Sequence, residues 1–195
     1  HGDRSPTFFE FSTAMALYAF SRRQVDWGVI ETGMGGRYDA TNIIQPAIPI
    51  ITNVSLEHRD YLGNTLVEIA REKAGIIKPA TPVVTAVKQK QARSVVRKIA
   101  RKKSAPLFML GKDFKVRQNQ SGQFSYTGIE NNWHHLQTSL LGRYQVQNAA
   151  LALAACELLI KDKATITPES IKQGLAVTRW PGRLEIVSDK PLVIL

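Results

Sequence analysis

Glu31 closes a short apolar run, Trp27-Gly28-Val29-Ile30, and opens the loop Thr32-Gly33-Met34-Gly35-Gly36-Arg37-Tyr38-Asp39-Ala40-Thr41-Asn42. Ligands of open α/β sheets bind just beyond the carboxyl ends of the strands. A lone carboxylate there, followed by a backbone free to bend, suits a metal-bound phosphate. The same glycines would also serve a tight strand-to-helix turn of purely geometric purpose. Glu31 before the loop, and Arg37, Asp39 and Asn42 after it, favour the site.

His58 stands in Glu57-His58-Arg59-Asp60, in a loop leaving a second apolar run, Ile48 to Thr52. If the two runs lie side by side in one sheet, Glu31 and His58 open on the same edge and can share a cation. The carboxylate is the natural ligand for magnesium; a surface histidine is the alternative. Lys73 falls seven residues after Leu66, four after Ile69 and three after Ala70, on the apolar stripe of a helix from about Thr65 to Ala74. A lysine on that face is costly unless paired, neutralised or modified. Otherwise its stem packs and its amine snorkels past the helix end. Asn148, early in a helix, is a mediocre helix former with hydrogen bonds to offer. Trp180-Pro181-Gly182 delivers Arg183 at the start of a strand, where its fork suits a phosphate; a surface turn is the plain alternative. The adjacent His134 and His135 would diverge from a strand, and no metal is assigned to them.

The elements that must hold these residues alternate. A helix is expected over Thr7–Arg23 (apolar at Phe8, Phe11, Met15, Ala19 and Phe20) and a strand over Val25–Ile30. A strand at Ile48–Thr52, the Thr65–Ala74 helix stopped by Gly75, and a strand at Pro82–Val87 follow. A basic helix and a strand at Pro106–Leu110 complete the series. Thr65 and Glu68 read as a capping box. Such alternation implies βαβ units and a mostly parallel sheet. Between Asp113 and Leu141 short alternating segments (Phe114–Val116, Gln123–Tyr126, Leu136–Leu140) read as antiparallel edge strands. Helices over Tyr144–Ile160 and Pro168–Val177 and strands over Arg183–Val187 and Leu192–Leu195 follow.

With 195 residues, 44% of them hydrophobic, the chain supports one large domain or one and a fraction. It has no membrane-span pattern. Its opening, His1-Gly2-Asp3-Arg4-Ser5-Pro6, does not read as a basic-then-apolar leader. The single Cys156 reads as a buried inert thiol, consistent with a cytoplasmic protein. The net charge of +10 raises the question of nucleic acid. The Lys88–Lys103 cluster, however, is punctuated by Val95, Val96, Ile99 and Ala100 at helical spacing and lacks interleaved aromatics. It reads as a solvated helix face.

These segments resemble the folylpolyglutamate synthase/dihydrofolate synthase family of the Mur ligase superfamily. The matching runs are Thr7 to Phe11, Val25 through Asn42, Ile51 through Gly63, Glu68 through Lys78, Gln147 to Ala150 and Trp180 to Arg183. The resemblance implies a three-layer, P-loop-NTPase-like central domain over 1–182, mostly parallel with a small antiparallel edge segment. It implies the start of a C-terminal glutamate-ligase domain over 183–195. It also implies an ATP-dependent ligase that adds L-glutamate to folate or dihydropteroate through an acyl phosphate. That enzyme would be a cytoplasmic monomer with no membrane or nucleic-acid partner. By the resemblance Glu31 and His58 bind Mg2+, Lys73 is carbamylated and becomes a metal ligand, Asn148 contacts the adenine, and Arg183 contacts the ATP phosphates. The family's phosphate loop does not occur in the chain and is expected ahead of His1, with the remaining C-terminal domain after Leu195. On that reading the chain is a fragment and alone does not turn over. Another Mur-type ligase and a non-catalytic basic binding module are the alternatives.

Overall fold

Successive side chains of a strand point to opposite faces, and in β2 (Val83–Thr85) all three residues are buried. Such a strand needs cover on both sides. The structure is a computed structural model that describes residues 5–161 and 165–195, and in it β2 has both. It is the middle strand of a parallel sheet, between β1 (Ile50–Ile51) and β3 (Leu107–Met109). On one face Ile51, Val83 and Val87 pack with Ile69, Ala70, Val96 and Ala100 of α3 (Leu66–Lys73) and α4 (Lys90–Lys102). On the other, Val84 and Ala86 pack with Val146, Ala150 and Leu151 of α5 (Arg143–Lys161). The outcome is the expected three-layer α/β arrangement.

Helix starts follow local chemistry. α1 (Phe8–Arg23), α3 and α6 (Pro168–Val177) each begin with a reciprocal capping box, Thr7 with Glu10, Thr65 with Glu68 and Thr167 with Ser170. Each cap is worth about 1 kcal/mol. α4 buries Ala92, Val96 and Ala100 and turns most of its lysines and arginines to solvent, so the basic cluster is a solvated face. Among the described residues no helix is long and apolar enough to cross a membrane.

Beside the parallel sheet stands an antiparallel one, β4 (Lys115–Gln118), β5 (Phe124–Thr127) and β6 (Asn132–Leu136). Tyr126 stacks on Trp133 with ring centroids 5.3 Å apart. Buried Glu157 of α5 pins this sheet to the helix. It accepts from the Tyr126 hydroxyl at 2.6 Å and from the backbone N–H groups of Ile129, Glu130 and Asn131 at 2.8, 3.1 and 2.6 Å. Burial and the neighbouring carboxylate push the Tyr126 phenol well above its ordinary pKa. Cys156 is half-buried, short of the full burial expected of it, and desolvation and the neighbouring Glu157 carboxylate push its thiol up.

Several sequence expectations need correction. Val25–Ile30 forms no strand: no described strand pairs with it, and Val29 is 99% exposed. A strand exists only through its ladder, and apolar composition alone does not supply one. The α1 helix forms as expected, yet none of its residues is buried. The third edge strand lies at Asn132–Leu136 rather than Leu136–Leu140. A register shift in the β5–β6 ladder and a positive φ at His135 interrupt its alternation, which leaves both His134 and His135 exposed while Trp133 is buried. Gly75 does not stop α3 in a left-handed cap; the chain runs on through a 3-10 turn, Ala74–Ile76. β7 spans Ile186–Asp189, so Arg183 sits in the preceding turn, and among the described residues β7 pairs only with β8 (Leu192–Ile194). The opening residues His1 to Arg4 lie outside the described residues.

Glu157→Ala strips the Tyr126 hydroxyl and three backbone N–H groups of their acceptor. Losing an acceptor inside a protein costs about 1–3 kcal/mol per stranded donor. Urea unfolding of the variant is expected to show a loss of about 3 kcal/mol, and an unchanged midpoint would contradict the pinning role.

Candidate functional site

The glycine loop after Glu31 is shaped to sit against the last turn of α3. A Cβ on Gly36 would lie 3.0 Å from the Lys73 carbonyl oxygen and 3.1 Å from that of Glu72. A Cβ on Gly75 would lie 2.3 Å from the Arg37 Cα, with no room for a methyl group. Gly35 has φ +67°, a conformation glycine adopts without cost. The Arg37 N–H donates to the Glu72 carbonyl at 2.9 Å, and the Arg37 guanidinium stands 3.8 Å from the Glu72 carboxylate. Asn42 Nδ2 reaches the Arg37 carbonyl at 3.0 Å and the Gly75 carbonyl at 3.4 Å, while Lys78 Nζ donates to the Asn42 carbonyl at 2.7 Å. Asp39 accepts from the N–H groups of Met34 and Thr41 and from the Thr41 hydroxyl. The polar residues after the glycines therefore hold the loop in shape and seat it on α3.

Lys73 lies at the end of α3, next to the buried Ile69, Ala70 and Ala74. Its amine is not lost in the core. It meets the Glu57 carboxylate at 2.7 Å, with the Lys73 side chain 22% and the Glu57 side chain 41% exposed. The Ser55 hydroxyl donates to the other Glu57 oxygen at 3.1 Å. The lysine beside it holds the Glu57 carboxyl below its usual range against the opposing pull of burial. Sequence reasoning passed over Glu57; an acid immediately before a loop histidine, facing a lysine at a helix end, was the available signal. His58, the next residue, adopts a left-handed φ of 47° at the entrance to the short α2 (Arg59–Leu62). The loops bearing Glu31 and His58 thus both meet the turn bearing Lys73. Among the described residues no hydrogen bond or ion pair joins Glu31, His58 and Lys73 to one another, and Glu31 itself is exposed.

Asn148 is exposed on α5, its Nδ2 donating to Oε1 of the buried Gln145 at 3.0 Å. One residue before it, Gln147 accepts from Lys88 Nζ at 2.9 Å, tying the start of α5 to the chain leaving β2. Gln145, a buried polar residue that sequence reasoning did not single out, orients the Asn148 amide. Arg183 is exposed in its turn and forms no bond with the other candidate residues. Among the described residues, no group of three or more His, Cys, Asp or Glu side chains is arranged to hold a metal.

Residues 5–156 match the Mur ligase middle domain. The dihydrofolate synthase/folylpolyglutamate synthase of Bacillus subtilis is 44% identical over 97% of this chain and 46% of its own length. A solved FPGS–AMPPCP–folate complex superposes with a TM-score of 0.93 at 39% identity, over 99% of this chain and 48% of that one. E. coli FolC in complex with DHPP and ADP superposes at 0.88 with 33% identity, over 99% and 44%. The chain spans about half the length of the curated relatives it matches.

Two outcomes test this geometry. Alanine is about 1 kcal/mol better than glycine inside a helical turn, whereas overpacking costs about 1–3 kcal/mol; the contact with Arg37 decides the sign. Gly75→Ala is expected to destabilise the protein in urea unfolding, and a stabilised variant would show that the loop does not press on this turn. The Glu57–Lys73 pair, being partly exposed, contributes about 0.5–1 kcal/mol. Because the Glu57 pKa is lowered on folding, that contribution is present above the ordinary carboxylate pKa of about 4.3 and fades as the pH falls through the lowered value. The stability gap between wild type and Glu57→Gln is expected to close in strong acid, and a gap that persists there would refute the ion pair.

Proposed function

Because the chain belongs to the Mur ligase family by its middle domain, we propose that the complete protein is an ATP-dependent ligase joining glutamate to folate or to dihydropteroate, a monomer of the cytoplasm. The observation that carries this reading is the meeting of the Glu31 and His58 loops at the turn of Lys73. That relatives were solved with an ATP analogue and folate, or with ADP and DHPP, supports the choice of substrates. Residues 1–182 are read as the central domain and 183–195 as the start of the glutamate-ligase domain. That β7 and β8, among the described residues, pair with each other alone supports that division.

Magnesium prefers oxygen ligands and keeps several waters. As an ammonium, Lys73 is the wrong donor; as a carbamate it supplies a second carboxylate-type ligand beside Glu31, with His58 as the nitrogen donor. The donor set then fits the ion. Carbamylation also inverts the charge facing Glu57, so the pair seen at 2.7 Å gives way when the site is loaded. Magnesium bound there neutralises the phosphate charge that develops during phosphoryl transfer. Glu31 and His58 stand on the two loops that meet at the Lys73 turn, where that charge would gather. Asn148, its amide oriented by Gln145, reads the adenine, and Arg183 offers a bidentate fork to the phosphates.

In the complete protein Glu31→Ala is expected to lower ATP-dependent glutamate addition by at least about a hundredfold; near-wild-type turnover would end the metal role. Lys73→Ala is expected to be inactive and partly restored by a short carboxylic acid such as acetate. A fully active Lys73→Ala would exclude the carbamate.

A further inference from the structure

Glu31 sits on a segment that no sheet ladder holds. Trp27 is 60% and Val29 99% exposed, and none of the described strands pairs with residues 25–30. The segment nevertheless lies against α1: the Val25 N–H donates to the Phe20 carbonyl at 3.3 Å, and two of its glycines face aromatic rings of the helix. A Cβ on Gly33 would fall 2.5 Å from Cζ of the Phe9 ring and 2.8 Å from its two Cε atoms, so the ring rests on a bare α carbon. A Cβ on Gly28 would lie 3.8 Å from the Phe20 ring, in ordinary contact. Phe9 and Phe20 are eleven residues apart, three helical turns, which puts them on one face about 16 Å apart along the helix axis. Gly28 and Gly33 are five residues apart, a span of about 16 Å for extended chain. The first aromatic meets the second glycine, so helix and segment run antiparallel with matching spans. Glu31 lies between the two contacts.

We propose that α1 sets the position of Glu31, with Phe9 on Gly33 as the contact that fixes the carboxylate's end of the segment; Phe9 and Gly33 are positioning residues. This rests on the reading of Glu31 as a metal ligand. α1 is otherwise a poor core helix, with no buried residue, and Phe9 is 40% exposed. Its aromatic contacts with the segment are what the helix contributes to the site. A side chain at position 33 meets the ring below contact distance, so either the ring or the backbone two residues from the carboxylate must shift. Outer partners that aim a metal ligand typically change affinity by about 10–100-fold when lost.

The test is Mn2+ binding by the complete protein, read from the EPR signal of free Mn2+, with a thermal melt of each variant as the folding control. Gly33→Ala is expected to weaken Mn2+ binding about tenfold. In a Phe9→Ala background, where the ring is gone, adding Gly33→Ala is expected to change the affinity by less than about threefold. An equal effect of Gly33→Ala in both backgrounds, or none in the wild type, overturns the proposal. If Gly33→Ala fails to fold, Phe9→Leu on the exposed helix replaces it; a weakened Mn2+ affinity with an intact melt supports the proposal, and wild-type affinity overturns it. Glu31→Ala separates the two levels. If it leaves Mn2+ binding intact, the ligand reading fails; if it removes binding while Gly33→Ala does not, only the positioning role of α1 fails.

Discussion

The arrangement depends on one close contact between backbones. The loop after Glu31 meets the last turn of α3 so closely that Gly36 and Gly75 leave no space for a Cβ between them and the opposing chain. A hydrogen bond from the Arg37 N–H to the Glu72 carbonyl, and the Asn42 amide spanning the Arg37 and Gly75 carbonyls, lock that approach. Without it, Glu31 and Lys73 would belong to separate parts of the surface. With it, the loop that follows Glu31 is seated on the turn that carries Lys73.

Magnitudes show what holds Lys73 in place. Burying an aliphatic side chain such as Ile69 contributes about 1.5–3 kcal/mol, and α3 adds Ala70 and Ala74 to that buried face. The partly exposed ion pair with Glu57 contributes less than about 1 kcal/mol. The helix is therefore fixed by its packing on the sheet, and the ion pair only directs the end of a side chain whose base is already set. That division suits the modification proposed for Lys73: the pair with Glu57 can be given up without loosening α3.

Much of this was legible in the sequence, for physical reasons that differ by element. The capping box at Thr65 and Glu68 and the inward stripe of α3 are local, and they appear where the residue pattern puts them. The buried strand β2 follows from its continuous apolar run, and the outward basic face of α4 from helical periodicity. Val25–Ile30 failed because a strand depends on a neighbour that composition cannot report. His135 failed because a register shift breaks the two-residue alternation. Within the site, the glycines in the sequence are compatible with both ligand binding and turn geometry. Their observed work is close packing against the end of α3, information carried by residues on a distant part of the chain. Glu57 was missed for the same reason, since its partner Lys73 lies on another element.

The central claim is that Glu31 and a carbamylated Lys73 bind one divalent ion at this contact. The most direct measurement is electron–nuclear double resonance on the complete protein, loaded with Mn2+ and equilibrated with 13C-bicarbonate. The account predicts a 13C coupling to the manganese that vanishes in Lys73→Ala. Bound manganese with no 13C coupling in the wild-type protein would contradict it.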